Sequence, residues 1–425
     1  MADFLPPDEN KRAGKQGGHR SGKVADFRYR RSPQSDKRNP GSQRGTPRDE
    51  RKQGHPGPQA KKSDPRRPDS GRPDANRFEG TRTHNGGEQP PRRQAYAALD
   101  LGTNNCRLLI ARPAGEDFTV IDAFSRVVRL GEGLANSGAL SQEAMDRALG
   151  ALKVCADKLR RRNVHLARSV ATEACRRAAN GTEFIERVRR ETGILLDIIS
   201  AEEEARLAVL GCHILLESGE GPAMIFDIGG GSTELVLIEP GGPVPRILDW
   251  QSVPYGVVSL TDTVGRTEGD EESRKARFAE MHRIVSDSFA PFAERVESFS
   301  RERDIRLLGT SGTVTTLASL HLELPQYDRR AVDGLIVPAG AMRDITGRLA
   351  IMSPKERSDL PCIGSDRADL VVAGCAILEA ILDIWPADRL GVADRGIREG
   401  ILRSLIAADV AGERSRAAIS RERRK

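Results

Sequence analysis

Two stretches of the chain set an aspartate one residue ahead of a loop of glycine and small polar residues. Asp100-Leu-Gly102-Thr103-Asn104-Asn105 lies between the apolar runs 95–99 and 108–111, and Asp227-Ile-Gly229-Gly230-Gly231-Ser232-Thr233-Glu234 lies between 223–226 and 235–238. Either loop alone reads as an ordinary tight turn. A hairpin turn of such residues also points successive backbone N–H groups and hydroxyls into one concavity, an anion nest. Glycine allows both the turn and close approach of the anion. The aspartate at each strand end is placed to hold a divalent cation through oxygen. The two aspartates stand 127 positions apart, about one α/β domain. Repetition at that spacing, each time between apolar strands, favours two facing nests that clamp a polyphosphate.

Other glycine-rich phosphate sites fit poorly. In a P-loop or dinucleotide fold the glycines open a helix. Here they lead into Glu234-Leu-Val-Leu-Ile238, which reads as strand, and no G-x-x-x-x-G-K-[ST] occurs. A third small-residue loop, Gly309-Thr310-Ser311-Gly312-Thr313, is either a plain strand-to-helix connection with an N-cap or a further phosphate contact. At another strand end, Val170-Ala-Thr172-Glu-Ala-Cys-Arg176-Arg177, Arg176 could fork onto phosphate oxygens, while Arg177 suits a solvated helix start. Ser200-Ala-Glu202-Glu203-Glu204-Ala-Arg206 puts three carboxylates at a strand-to-helix junction. Complementing the helix dipole accounts for Glu202 and Glu203. One of the three could instead activate water as a general base.

The elements that must carry these loops follow from periodicity. Residues 95–111 read as a β-hairpin, and 117–130 as one or two more strands. Ser141 is a plausible N-cap for a helix through Leu159, with apolar positions at helical spacing. Strands are expected at 164–171 and 195–200, and a helix at 183–191 ended by Gly193. A helix from Glu202 ends near Gly211 or near Leu216. Segment 223–238 repeats the opening hairpin. Helices at 314–320, 368–384 and 396–408 and a strand at 390–393 complete the reading, with the charged final 14 or so residues frayed.

The chain holds 425 residues, with 67 Lys+Arg against 61 Asp+Glu and a formal charge of +6. The excess is confined to residues 1–94, which carry 23 Lys+Arg and 12 Asp+Glu, while the remainder is net −5. Half of the 24 prolines lie in that tail, and Leu5 and Val24 are its only aliphatics larger than alanine. Such a segment buries too little apolar surface to offset ordering, so residues 1–94 are expected to be a disordered basic tail. No run approaches the ~20 apolar residues of a membrane span, and the N-terminus lacks an apolar signal core. A cytoplasmic location with no membrane association is therefore expected. The six cysteines are scattered without C-x-x-C, which suits reduced, mostly buried thiols.

Taken in order, these motifs resemble the exopolyphosphatase/guanosine pentaphosphate phosphohydrolase family of the actin-like ATPase superfamily. The resemblance covers residues 95–410. It rests on Asp100-Leu-Gly-Thr-Asn-Asn with Arg107, Ala171-Thr172 with Arg176, Ile199-Ser200 with Glu203-Glu204-Ala-Arg206, Asp227 to Glu234, Gly309 to Thr313, and Arg395-Gly-Ile-Arg-Glu-Gly400. It implies an α/β fold of two ribonuclease-H-like domains around a cleft. Domain I is expected over 95–211 with the helix 396–411 returning to it, domain II over 212–395, and a charged tail over 412–425. By the same resemblance Glu204 is the catalytic base and Arg176 grips terminal phosphates. Asp227, Glu234 and Asp100 hold Mg²⁺, the loops 102–105 and 229–233 cradle phosphate, and members suggest a homodimer. Larger members add C-terminal helical domains associated with long polyphosphate, so processive degradation of long chains is not expected.

The leading expectation is release of terminal orthophosphate from polyphosphate, with guanosine pentaphosphate (pppGpp) as alternative substrate. Phosphoryl transfer of this kind asks mainly for positioning and charge neutralisation. From another class comes a non-catalytic sensor of polyphosphate or nucleotide whose basic tail makes weak contacts with RNA or another polyanion. A sugar kinase of the same superfamily fits less well, because the Glu204 segment suits activation of water.

Overall fold

The computed structural model describes residues 25–26, 94–115, 117–242, 244–266, 268–300 and 305–422. The tail expected over 1–94 lies outside them, apart from Gln94 and the two-residue strand β1 (Ala25–Asp26).

The first apolar hairpin becomes β2 (Ala95–Leu101) and β3 (Asn105–Ala114), followed by β4 (Asp117–Val127). After a helix come β5 (Val164–Ala171) and β6 (Leu196–Ile198). β4, β3 and β2 run antiparallel in sequence, β5 joins β2 in parallel, and β6 joins β5 in parallel. The second sheet repeats this with β7 (Ala223–Ile228), β8 (Thr233–Glu239), β9 (Arg246–Val253), β10 (Arg306–Thr310), β11 (Ile336–Pro338) and β12 (Arg389–Ala393). Its order from β9 through β8, β7 and β10 to β12 copies the order β4-β3-β2-β5-β6, with β11 added antiparallel at the edge. The duplication suggested by the two Asp-x-Gly loops is thus a duplication of sheet topology, a pair of ribonuclease-H-like α/β domains.

Helix α1 (Gln142–Arg161) starts where Ser141 accepts the Ala144 N–H, and the helix Gly181–Thr192 ends on left-handed Gly193. Both cover the outer face of the first sheet. Between the two sheets lie α3 (Ala201–Cys212) and α8 (Ile397–Glu422), numbered with α2 (Glu173–Arg177), α4 (Val257–Val264), α5 (Glu271–Ser300), α6 (Gly312–His321) and α7 (Val371–Ile384). Leu207 of α3 packs with Ile401, Leu402 and Leu405 of α8 against Tyr96, Ala98 and Leu109 of the first sheet. Ala205, Val209 and Cys212 of the same helix pack on Ile225, Val236 and Leu308 of the second. Eleven residues of α7 are buried, and α5, α6 and α7 enclose the far face of the second sheet.

Several elements differ from the sequence reading. α7 begins at Val371, because 368–370 form turns. The last helix continues to Glu422 instead of fraying after Ala408, as its arginine-, alanine- and glutamate-rich end favours helix. The thirty-residue α5 went unread, since Pro291 and a weak apolar stripe obscure its period. All six cysteines are free thiols and five are buried. Among the described residues no helix is long and apolar enough to cross a membrane.

The contact between α3 and α8 is too close for a side chain at Gly400, where an added Cβ would lie 2.0 Å from the Leu207 carbonyl oxygen. In an exposed helix glycine-to-alanine stabilises by about 1 kcal/mol; here the sign should reverse. Gly400→Ala is expected to cost about 1–3 kcal/mol through forced separation of the two helices. Urea unfolding midpoints at unchanged slope measure it.

Candidate active site

The two hairpin turns share one hydrogen-bond pattern. The Gly102 N–H donates to the Asn105 carbonyl at 2.9 Å and the Gly229 N–H to the Ser232 carbonyl at 2.9 Å. The two turns meet. A Cβ on Gly230 would lie 3.0 Å from the Asn104 nitrogen, and one on Gly231 would lie 2.5 Å from the Thr103 hydroxyl. Behind these touching tips lies a cavity of about 130 Å³. Room for several water-sized groups is enough for a phosphoryl terminus with a water beside it.

The cavity is lined by Asp100, Gly102, Thr103, Asn104 and Asn105 from the first hairpin. Asp227, Gly229, Gly230, Gly231, Ser232 and Glu234 line it from the second, and Ser311 and Gly312 from the third loop. Thr233, Gly309 and Thr310, grouped with the phosphate contacts in the sequence, lie behind this wall. Thr233 is fully buried and donates to the Tyr255 carbonyl at 2.7 Å. Gly309 faces the Phe226 ring, and Thr310 donates to the Arg395 carbonyl at 2.7 Å. Alternation along β8 turns Thr233 away from the cavity that Glu234 lines, while Gly309 and Thr310, adjacent on β10, are each held by packing on their own side of the strand. Ser311 takes φ 140°, a strained region for a residue with Cβ. Its hydroxyl accepts the Thr313 and Val314 N–H groups and starts α6.

The three consecutive glutamates part company. Glu202 stays exposed. Glu203 pairs with Arg168 at 2.8 Å and Arg206 at 2.7 Å, so it is structural. Glu204 is 6% exposed and lines the cavity. Its Oε2 accepts Arg176 Nη1 at 3.0 Å, while Oε1 has no hydrogen-bond partner among the described residues and is not sealed from the cavity. Burial first, then Glu234 and Asp100, push its carboxyl well above the usual range, with Arg176 opposing. Arg176 itself is not part of the lining. Nη1 also donates to the Ile199 carbonyl at 2.8 Å, and Nε and Nη2 to Glu173 at 3.1 and 2.6 Å. In this structure Arg176, expected to grip terminal phosphate, holds Glu204 and Glu173.

Asp100 and Asp227 sit at equivalent strand ends, each opposite a cross-strand partner, Arg107 and Glu234. Asp100 Oδ1 is buried without a hydrogen-bond partner among the described residues. Burial and then Glu234 push Asp227 up to about 8, with Arg107 opposing. Glu234 is raised by burial although its Oε1 accepts the Ser232 and Ser252 hydroxyls at 2.7 and 2.9 Å. The acids thus crowd one space with little compensating charge. Among the described residues no three His, Cys, Asp or Glu side chains gather as a complete metal cage. A Mg²⁺ ion bound through one or two carboxylates, phosphate oxygens and water needs none, and the orphaned Asp100 oxygen is the acceptor such an ion would use.

Sequence reasoning gave no role to Arg107, Glu173, Arg367 or the apolar residues Ile228, Val257, Leu370 and Val371, which also line the cavity. Arg107 and Glu173 lay inside quoted motifs. Arg367 had no signal, since it sits in the turn ahead of α7.

Comparison with known proteins agrees with this geometry. The model of the Ppx/GppA phosphatase family matches residues 109–408. Exopolyphosphatase 2 of Mycobacterium tuberculosis is 30% identical over 322 residues, spanning 73% of this chain and 98% of that protein. The crystal structure of the Aquifex aeolicus Ppx/GppA family member is 30% identical with a TM-score of 0.60, covering 74% of this chain and 98% of its own. The exopolyphosphatase from Cytophaga hutchinsonii, at 24% identity and TM-score 0.65 over 74% and 98% of the two chains, shares the fold. Two duplicated domains, hairpins that meet over an acidic cavity and a match over most of the folded chain lead to one conclusion: the chain belongs to the Ppx/GppA phosphatase family.

Proposed function

We propose that the chain hydrolyses a terminal phosphoanhydride, releasing orthophosphate from polyphosphate, with Glu204 as general base. The single observation that carries this reading is the Glu204 carboxylate, with Oε1 open on a cavity that both Asp-x-Gly hairpins line. N–H groups of the loops 102–105 and 229–232 other than those of Gly102 and Gly229, which close the turns, orient the phosphoryl oxygens. Arg107, across from Asp100 and beside Gly312, adds the positive charge that developing phosphate charge requires. Glu204 Oε1 takes the proton of a water aligned on the terminal phosphorus, and Arg176 fixes the other oxygen. Mg²⁺ fits beside Asp100 and Asp227, with Glu234 supporting, and would neutralise the phosphate oxygens when bound.

The second reading, pppGpp as substrate, draws support from the apolar end of the cavity. Val257, Leu370 and Val371 could receive a ribose or base, and Arg367 lies beside them. Orthophosphate release from both substrates at equal phosphate concentration, with Mg²⁺, separates the readings. Polyphosphate as the better substrate by kcat/KM supports the first; a tenfold preference for pppGpp selects the second. Tight binding of either without turnover would make the chain a sensor instead.

A further inference from the structure

Resting on the hydrolase reading, we infer that Glu173 is a positioning residue that acts through Arg176 to orient the Glu204 carboxylate toward the attacking water. Glu173 opens α2 immediately after Thr172, and it faces the cavity opposite the second hairpin. A Cβ on Gly231 would lie 2.9 Å from Glu173 Cγ, so this side chain is where the first domain's wall meets the second domain's loop.

An i,i+3 pair on a short helix is commonly a surface pair of little consequence. Three features separate this one. The two side chains are only 22% and 15% exposed. A single Glu173 oxygen, Oε2, takes both Nε and Nη2 of Arg176. That contact fixes the plane of the guanidinium, and a rigid planar fork carries orientation to its other end. There Nη1 meets the Ile199 carbonyl and Glu204 Oε2 together. Four of the five Arg176 N–H donors are thereby committed, two to Glu173 and two to the base and its neighbouring backbone.

The consequence concerns Glu204. With Oε2 held, the carboxylate has one rotational setting, in which Oε1 is the oxygen exposed to the cavity. Without Glu173, Arg176 is free to turn toward the cavity and its phosphates, and Glu204 loses its fixed setting. The same chain of contacts explains why Arg176, though close to the site, is absent from its lining. Glu173 forms no contact with the reacting atoms in this scheme; its effect passes entirely through the guanidinium.

The test compares the full-length chain with Glu173→Ala, Glu173→Gln and Glu173→Asp on tripolyphosphate with Mg²⁺, alongside thermal melts and the arginine Nε–H signals in ¹⁵N-edited spectra. Glu173→Ala should lower kcat 10- to 100-fold with KM within about threefold, and should abolish one protected Nε–H signal. Glu173→Gln keeps an oxygen acceptor for Nε and Nη2, and should restore kcat to within about fivefold. A purely structural Glu173 would lower the melting temperature in all three variants and leave kcat per folded molecule intact. Unchanged kcat, a rise in KM alone, or no recovery in Glu173→Gln overturns the inference. If the native chain releases no phosphate, the hydrolase reading fails instead. The inference is then judged by the Nε–H signal, whose persistence in Glu173→Ala overturns the clamp.

Discussion

Glu204→Gln should reduce orthophosphate release by 10²- to 10⁴-fold at nearly unchanged KM, the range typical of losing a positioned general base. The amide keeps the size of the side chain and an oxygen for Arg176 Nη1, so the fold and the hydrogen bond at Oε2 survive. What disappears is proton affinity at Oε1. Burial, Glu234 and Asp100 raise that affinity in the native protein, against the pull of Arg176. A base must be ionised, so the native rate should climb with pH through this raised value and level off above it. The residual rate of Glu204→Gln should lack that acidic limb. Steady-state kinetics across pH, with circular dichroism as control for folding, measure both effects. A variant as active as the native chain would remove Glu204 from the reaction.

The second large effect joins stability to activity. Asp227→Asn should abolish at least 99% of turnover and yet make the metal-free protein harder to unfold at pH 8. Asp227 titrates near 4 in the unfolded chain and at about 8 when folded, mainly because of burial and then Glu234. Between these values the unfolded chain has released a proton that the folded chain retains, so stability falls as pH rises from 4 to 8. The loss is complete above 8 and absent below 4. Glu204, Glu234 and Asp100 are displaced in the same direction and add to the trend. The asparagine removes the Asp227 share, roughly 5 kcal/mol at pH 8, with little change near pH 4. Melting curves in chelator at pH 4.5 and pH 8 test the sign. Added Mg²⁺ should recover native stability at pH 8 and do less for the variant. A destabilised variant at pH 8 would contradict the crowded-acid description.

Stability held in reserve against function has a local cause here. The acids are brought together by backbone register: Asp100 faces Arg107 across one hairpin, and Asp227 faces Glu234 across the other. Both pairs are within the quoted motifs, so the hairpins and their acids were legible in the sequence. So were Ser141 and Gly193 as helix boundaries, because caps are local chemistry. The strand order was not, since nothing local dictates that β5 and β10 insert beside the hairpins. The family resemblance singles out Glu204, whereas the residue pattern alone leaves open which of the three glutamates enters the cleft. Consecutive residues on a helix point 100° apart, and only the fold determines which faces the cleft. Thr233, Gly309 and Thr310 stand behind the cavity wall for a related reason. A loop motif names its residues without saying which turn inward: Thr233 alternates with the cavity-lining Glu234, and Gly309 and Thr310 meet the Phe226 ring and the Arg395 carbonyl. An arginine near a phosphate loop suggests a phosphate ligand; that Arg176 pairs with Glu173 and Glu204 in this structure depends on distances between three segments.

The central claim is that the two hairpins jointly hold a phosphate chain in front of Glu204. A crystal structure of full-length Glu204→Gln grown with Mg²⁺ and tripolyphosphate tests it directly. Backbone N–H groups from both 102–105 and 229–232 should lie within about 3.2 Å of phosphate oxygens, with a water between residue 204 and the terminal phosphorus. Phosphates bound to one hairpin alone, or elsewhere on the molecule, would contradict it.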